Sequence, residues 1–300
     1  MIEIKTLDQS WLSQLLPLVH TTAYERQLDS AEFQHRIWED PSAAAELLLG
    51  ALEDNQLIGY CLACIREGHG VVSLFGTHPE RRRQGIAKAL FTDLENRLLA
   101  RGVNQLLVEG NGPGYFWPGV ELSRGPAICF LFKQGYETDR KTRVDMEVDL
   151  RQVHLDTAAT ATRLAAEGIV VRRAGDADIP ATAAFALQTF SRGWQIEVEE
   201  TRRFSLPPLN IAIYREQVVG FAAYDVTGYG RFGPTGTRPD MRQRGIGGAL
   251  LKMCLQQMFD RGDSTAEIAW AGPVAFYAKE VGARISRAYW CFHKNLTAGS

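Results

Sequence analysis

A basic surplus is missing from this 300-residue chain: 33 Lys and Arg stand against 35 Asp and Glu, a net charge near −2. A protein built to grip phosphate backbones carries such a surplus, so nucleic acid is not expected as a general partner. Nor does any uninterrupted apolar run reach the roughly 20 residues of a membrane-spanning helix. The opening residues, Met1 to Lys5, do not begin a basic and then apolar secretory segment. A cytoplasmic protein without membrane attachment is the expectation. Cysteine is scarce, with Cys61, Cys64, Cys129, Cys254 and Cys291 forming no even framework, which suits reduced thiols. Cys61 and Cys64 have the spacing of a metal or redox pair. They fall in an apolar, strand-like run, Ile58 to Ile65, where residues three apart point to opposite faces. No second pair accompanies them, so buried thiols and no bound metal are expected.

What the chain does have is length for two domains and a repeat of itself. Gly59-Tyr60 after a polar turn matches Gly220-Phe221 at an offset of 161. Thr77-His78-Pro79 matches Thr237-Arg238-Pro239, and Arg82 to Ala87 matches Arg242 to Gly247, both at an offset of 160. Each copy opens with a strand and one or two helices, Trp11 to Tyr24 and Ile179 to Phe190. Two strands follow around a polar turn (Leu47 to Glu53 and Leu57 to Arg66; Asn210 to Arg215 and Val218 to Val226), and a third ends at the Thr-x-Pro turn. Next comes a helix with apolar residues every fourth position: Ile86, Leu90, Leu94 and Leu98, or Ile246, Leu250, Cys254 and Met258. Gly102 and Gly262 end these helices. A further strand follows, Gln105 to Glu109 or Ala266 to Trp270. The domains expected are 1–150 and 169–300. The Ala- and Thr-rich stretch 151–168 reads as a partly helical linker.

The loop before each long helix carries the chemistry. Glycine lets the backbone turn tightly and a ligand approach closely. The first helical amides point outward without internal acceptors, and the helix dipole adds positive character. Such a loop suits a pyrophosphate, and Arg82 and Arg83, or Arg242 and Arg244, can add charge-assisted contacts. The Gly-x4-Gly-Lys-Ser/Thr loop of nucleotide hydrolases is absent, and so is the three-glycine dinucleotide fingerprint.

Twice over, these residues resemble the GNAT superfamily of N-acetyltransferases, in the tandem layout of mycothiol synthase-like members. The resemblance implies two α/β domains, each a mostly antiparallel mixed sheet flanked by helices. It implies acetyl-CoA as co-substrate, with Thr77, Arg82, Arg83, Gln84, Gly85 and Ala87 in the first copy, and Thr237, Arg242, Arg244, Gly245, Gly247 and Gly248 in the second, as its contacts. It implies transfer of acetyl to a primary amine of a small molecule or peptide by a monomer or homodimer. The family's usual tyrosine, acid to the departing thiolate, is matched by Tyr277 in the second copy and by Leu131 in the first. The second copy is therefore expected to carry the chemistry, unless the first works without a tyrosine or neither copy is catalytic. Glu109 and Glu267 are candidate bases, although a surface salt bridge accounts for either more simply. An insertion of the first copy, Gly110 to Glu121, sets Tyr115, Phe116 and Trp117 side by side. It is expected to line a substrate cavity or the cleft between domains, or to pack as a loop on the other domain.

Overall fold

The computed structural model describes residues 2–23, 28–110 and 115–297. Tyr24, the expected end of the first helical stretch, and residues 111–114 of the insertion lie outside the described residues. In chain order the strands are β1 Glu3–Thr6, β2 Ala43–Glu53, β3 Gln56–Arg66, β4 His69–Thr77, β5 Gln105–Val108, β6 Val120–Glu121, β7 Arg143–Asp149, β8 Ile169–Arg173, β9 Leu209–Tyr214, β10 Gln217–Tyr224, β11 Arg231–Thr237, β12 Thr265–Ile268, β13 Arg284–Trp290 and β14 Phe292–Asn295. The helices are α1 Leu12–Thr22, α2 Ser30–Ile37, α3 Ile86–Ala100, α4 Gly125–Lys133, α5 Ala158–Ala166, α6 Ile179–Thr189, α7 Arg192–Glu200, α8 Ile246–Asp260 and α9 Val274–Val281.

Two compact units result. One holds the described residues up to 110, Tyr115–Thr142 and those from Tyr289 onward; the other holds Arg143–Ala288. The final strand of each sequence copy thus belongs to the other copy's unit. β7 pairs with β12 (Asp149↔Thr265 to Met146↔Ile268), and β14 pairs with β5 (Phe292↔Val108 to Asn295↔Gln105). The units therefore differ in composition from the linear division at 150 and 169. The expected linker contains α5, whose Leu164 is buried in the second unit's core.

The first unit's sheet runs β1-β2-β3-β4-β5-β14. All neighbours are antiparallel except β4 and β5. The β2–β3 turn places Asp54 and Asn55 at φ 50° and 62°, the left-handed pair whose twist matches a two-residue hairpin. In the second unit Arg215 and Glu216 repeat it at 49° and 62°. Strand alternation sorts the core. Leu47, Leu49 and Cys61 pack with Leu90, Leu94 and Leu98 of α3, whereas Leu48, Leu52 and Tyr60 pack with Leu15, Val19 and Phe33 of α1 and α2. Helices thus cover both faces. The second unit repeats this arrangement, with α8 on one face of its sheet and α6 and α7 on the other.

One feature of this sheet opens the site. The parallel β4–β5 ladder consists of Gly70↔Leu106 and Val71↔Leu107, after which β5 ends at Val108 while β4 continues to Thr77. The strands part, and a cleft begins where the ladder stops. Cys61 and Cys64 are separate, buried free thiols, both pushed upward in pKa by desolvation.

Candidate active site

In the first unit β4 delivers Thr77 to a single 3-10 turn, Pro79–Arg81, after which the chain enters α3 through Arg83 at φ 65° and Gly85 at φ 82°. Gly85 is the N-cap residue of α3, in the left-handed region where a side chain is strained, and a Cβ placed there would meet nothing within 4 Å. Arg82 Nε donates to Thr77 O at 3.5 Å, bracing the loop against the strand end. The loop opens on a cleft of about 710 Å³ between the N-terminal turn of α3 and α4. Thr77, Arg82, Arg83, Gly85 and Ala87 line it; Gln84 is exposed and lies outside the lining.

Electrostatics give the cleft its character. Among the described residues, Arg81, Arg82, Arg83, Lys88, Arg124 and Lys133 line it, and no carboxylate does. Arg81 is paired with Glu53 at 2.8 Å behind the loop. Six cations beside the amino end of a 15-residue helix make a site for a polyanion.

A second, smaller cavity of about 100 Å³ shares Thr22, Phe75, Arg124 and Ala127 with the cleft and adds Glu109, Glu121 and Trp117. Glu109 follows the end of β5 at Val108. Glu121 sits on β6, which pairs with Tyr289. Arg124 lies 3.9 Å from Glu121 and donates to Thr22 O at 3.3 Å. Thr22 Oγ1 lies 2.8 Å from the hydroxyl of Tyr60, whose pKa burial pushes upward. Phe116 and Trp117 of the insertion pack against residues of the first unit. Phe116 lies 6.1 Å from Phe33 and beneath Arg36, Trp117 Nε1 donates to Ala23 O at 3.2 Å, and the Trp117 ring stacks 6.0 Å from Tyr289. Trp117 thus lines the small cavity.

The second unit repeats the backbone of the loop and changes its surroundings. Gln243 and Gly245 adopt φ 63° and 84°, and Arg242 Nε donates to Thr237 O at 3.2 Å. Here, however, α5 reaches the loop. Arg163 Nη2 donates to Arg244 O at 2.7 Å, and a Cβ on Gly245 would lie 2.8 Å from that nitrogen. Glu167 binds both Arg163 (2.8 Å) and Arg244 (3.3 Å). Glu280 of α9 presses its carboxylate on Gly248, 2.8 Å from where a Cβ would stand, and Phe276 lies 3.6 Å from the same point on Gly247. A carboxylate therefore sits on the first turn of α8, where the first unit has Lys88.

Neither chemical group expected in the second unit stands at an open site. Glu267 is 2% exposed, and its carboxylate accepts from Arg231 Nε at 2.8 Å; Arg231 is fully buried and also donates to Thr227 O at 3.1 Å. This is a buried ion pair rather than the surface bridge or general base considered from sequence. Tyr277 is 5% exposed, packed edge-on to Phe276 and Phe232, with its pKa pushed up to about 12 by burial. In the first unit the matching Leu131 is fully buried.

Lys88, Arg124, Lys133 and Glu121 escaped sequence reasoning. The lysines look like solvated charges on amphipathic helices until α3 and α4 converge. A residue-by-residue comparison of the copies contains the signal: Lys88 is replaced by Gly248, and Gln134 by Glu280.

The profile of the Acetyltransferase (GNAT) family matches residues 11–112 and 180–283. The chain therefore belongs to the GNAT family of acetyltransferases and is an acyltransferase with two tandem GNAT domains. Members of this family use acetyl-CoA. Among solved structures, the GCN5-related glucosamine N-acetyltransferase region of a fungal multi-domain GH3 β-N-acetylglucosaminidase superposes with a TM-score of 0.79 at 16% identity, over 98% of this chain and 38% of that one. This chain thus spans little more than a third of the fungal protein. A GCN5-related N-acetyltransferase from Sphaerobacter thermophilus superposes at 0.73 and 19% identity, over 100% of this chain and 97% of that one. A tandem GNAT protein from the clavulanic acid biosynthesis pathway does so at 0.73 and 16%, over the whole of both chains. At these identities the likeness establishes the fold. No curated protein matches the sequence. Among the described residues no cluster of His, Cys, Asp and Glu could hold a metal, and no helix is long and apolar enough to cross a membrane.

Proposed function

We propose that the chain is an acetyl-CoA-dependent N-acetyltransferase acting on a primary amine, and that coenzyme A binding and chemistry both belong to the first unit. One observation carries this reading: Gly85 faces an open cleft lined by six cations, whereas the matching loop of the second unit is met by Arg163 and Glu280. A pyrophosphate near Glu280 would face a like charge at short range, at a cost of several kcal/mol in a partly buried setting. The preference for the second copy, which rested on Tyr277, is thereby reversed.

In this reading Arg82, Arg83, Lys88 and the first amides of α3 hold the phosphates, and β4 beyond Val71 offers backbone to the pantetheine arm. The acceptor enters as an ammonium in the small cavity. Glu109 takes its proton, and the freed lone pair attacks the thioester carbonyl. The C–N bond forms and the C–S bond breaks; the thiolate leaves beside Arg124, whose cation offsets its charge, the nitrogen's second proton passes through solvent to that thiolate, and Glu109 returns the first proton to water. Holding amine and thioester together supplies much of the rate, and the good leaving group removes the need for a tyrosine at Leu131. Titration calorimetry with acetyl-CoA tests the assignment. One site per chain is expected; two sites, or one that survives disruption of the first loop, would contradict it.

A further inference from the structure

Resting on that reading, we propose that Thr22 is the specificity-determining residue for the acyl donor: it walls the point where the acyl group sits and holds the donor to a two-carbon chain. The donor cleft and the small cavity share four lining residues, Thr22, Phe75, Arg124 and Ala127. With the donor in one space and the amine in the other, the C–N bond forms only where the two spaces meet. The acyl group therefore lies among these four residues.

Of the four, Ala127 offers only a methyl group, and Phe75 packs its ring on Phe91 and Phe130 at 5.2 and 6.4 Å. Thr22, the last residue of α1, is tied to its surroundings through both side chain and backbone. Its Oγ1 donates to Leu18 O one turn back at 2.6 Å. That bond uses the hydroxyl's one proton, so the same oxygen accepts from the Tyr60 hydroxyl of β3, 2.8 Å away. Tyr60 is fully buried, and Thr22 O accepts from Arg124 Nη1 at 3.3 Å. The hydroxyl pair also rests on the backbone of β4. A Cβ on Gly76 would lie 2.5 Å from Thr22 Oγ1 and 2.8 Å from the Tyr60 hydroxyl. Such a wall does not step aside, because turning Thr22 breaks both bonds and strands the buried phenol. A longer acyl chain has to press against it. The second unit differs at this same place. A Cβ on Gly236, the match of Gly76, would fall on the ring of Phe190 just past the end of α6. Phe221, the match of Tyr60, lies 6.0 Å from that ring and carries no hydroxyl. The helix end over this glycine is thus small and polar in the unit with the open cleft and aromatic in the other.

The test is titration calorimetry of the whole chain with CoA, acetyl-CoA and butyryl-CoA, which needs no acceptor. The unaltered protein should bind butyryl-CoA about tenfold or more weakly than acetyl-CoA, the penalty that surplus methylenes bring against a fixed wall. Thr22→Ala should bring the two within about threefold of each other, while the Kd of CoA, which carries no acyl chain, moves by less than the gap that closes. Tyr60→Phe removes the brace and leaves Thr22 in place, and should close part of the gap. A merely structural role for Thr22 would shift all three ligands together. Should Thr22→Ala fail to fold, Thr22→Ser, which keeps the hydroxyl and removes only the methyl, serves for the same comparison. Equal affinities in the unaltered protein, or an undiminished gap in the Thr22 variant, overturn the assignment of Thr22, while binding of acetyl-CoA leaves the transferase reading intact. Absence of acetyl-CoA binding overturns both.

Discussion

Replacing Gly85 by glutamate separates the two loops energetically. Gly85 sits at φ 82°, so any side chain there costs about 1–2 kcal/mol of backbone strain. For a domain of this size that corresponds to a fall in Tm of roughly 2–8 °C. The space beyond its Cβ is open, so the fold tolerates the side chain, which projects into the cleft. A carboxylate about 5 Å from one phosphate charge, at an effective dielectric constant near 20, is repelled by ~3 kcal/mol. That alone raises Kd for acetyl-CoA by roughly 100-fold, before any lost amide hydrogen bond is counted. Gly85→Ala carries the same strain without the charge and should weaken binding less than about tenfold. Gly245→Glu is the internal control. Gly245 has φ 84° and so the same strain, but the new carboxylate would emerge beside Arg163. Binding by calorimetry and turnover by thiol release should follow Gly85 and ignore Gly245. Undiminished affinity in Gly85→Glu, or its loss in Gly245→Glu, would refute the reasoning.

Local chemistry explains why the loop and its helix were legible in the sequence. A left-handed glycine, a Thr-x-Pro turn and an apolar stripe at fourfold spacing are each decided within a few residues, and each recurs at the same offset. The exchange of β7 and β14 was not legible. Strands with one alternation pattern satisfy either sheet, and the choice depends on which edge, β5 or β12, is within reach. The working state of each loop was equally hidden. Arg163 reaches Arg244 across 81 residues, and Glu280 reaches Gly248 from another helix. Glu267 misled for a related reason. An acidic residue in a strand reads as a solvated position until its partner, Arg231, is found on the neighbouring parallel strand at register Arg231↔Glu267.

The remaining predictions follow from the same contacts. Glu267→Ala strands the buried Arg231 and should cost the second unit about 3–5 kcal/mol in urea unfolding, with acetyl-CoA affinity unchanged in the folded protein. Tyr277→Phe should leave turnover within about twofold, whereas a working acid there would cost roughly 10²–10⁴-fold. Lys88→Ala should raise Kd for acetyl-CoA by about tenfold or more, by loss of a charge-assisted contact, and the difference should shrink as salt screens the cleft. The thiols give a label for the cleft. Cys129 is exposed and lines it, while Cys61, Cys64, Cys254 and Cys291 are buried. Burial pushes Cys254 up to about 12 and also raises Cys61 and Cys64, so at neutral pH these three lack both thiolate and access. Iodoacetamide should therefore modify Cys129 first in the native protein, at one equivalent, and acetyl-CoA should slow that reaction in proportion to occupancy of the first unit. Protection would vanish in Gly85→Glu and persist in Gly245→Glu. Equal protection in both variants would mean that acetyl-CoA shields Cys129 without using the first loop, and the assignment of the cofactor to that loop would fall.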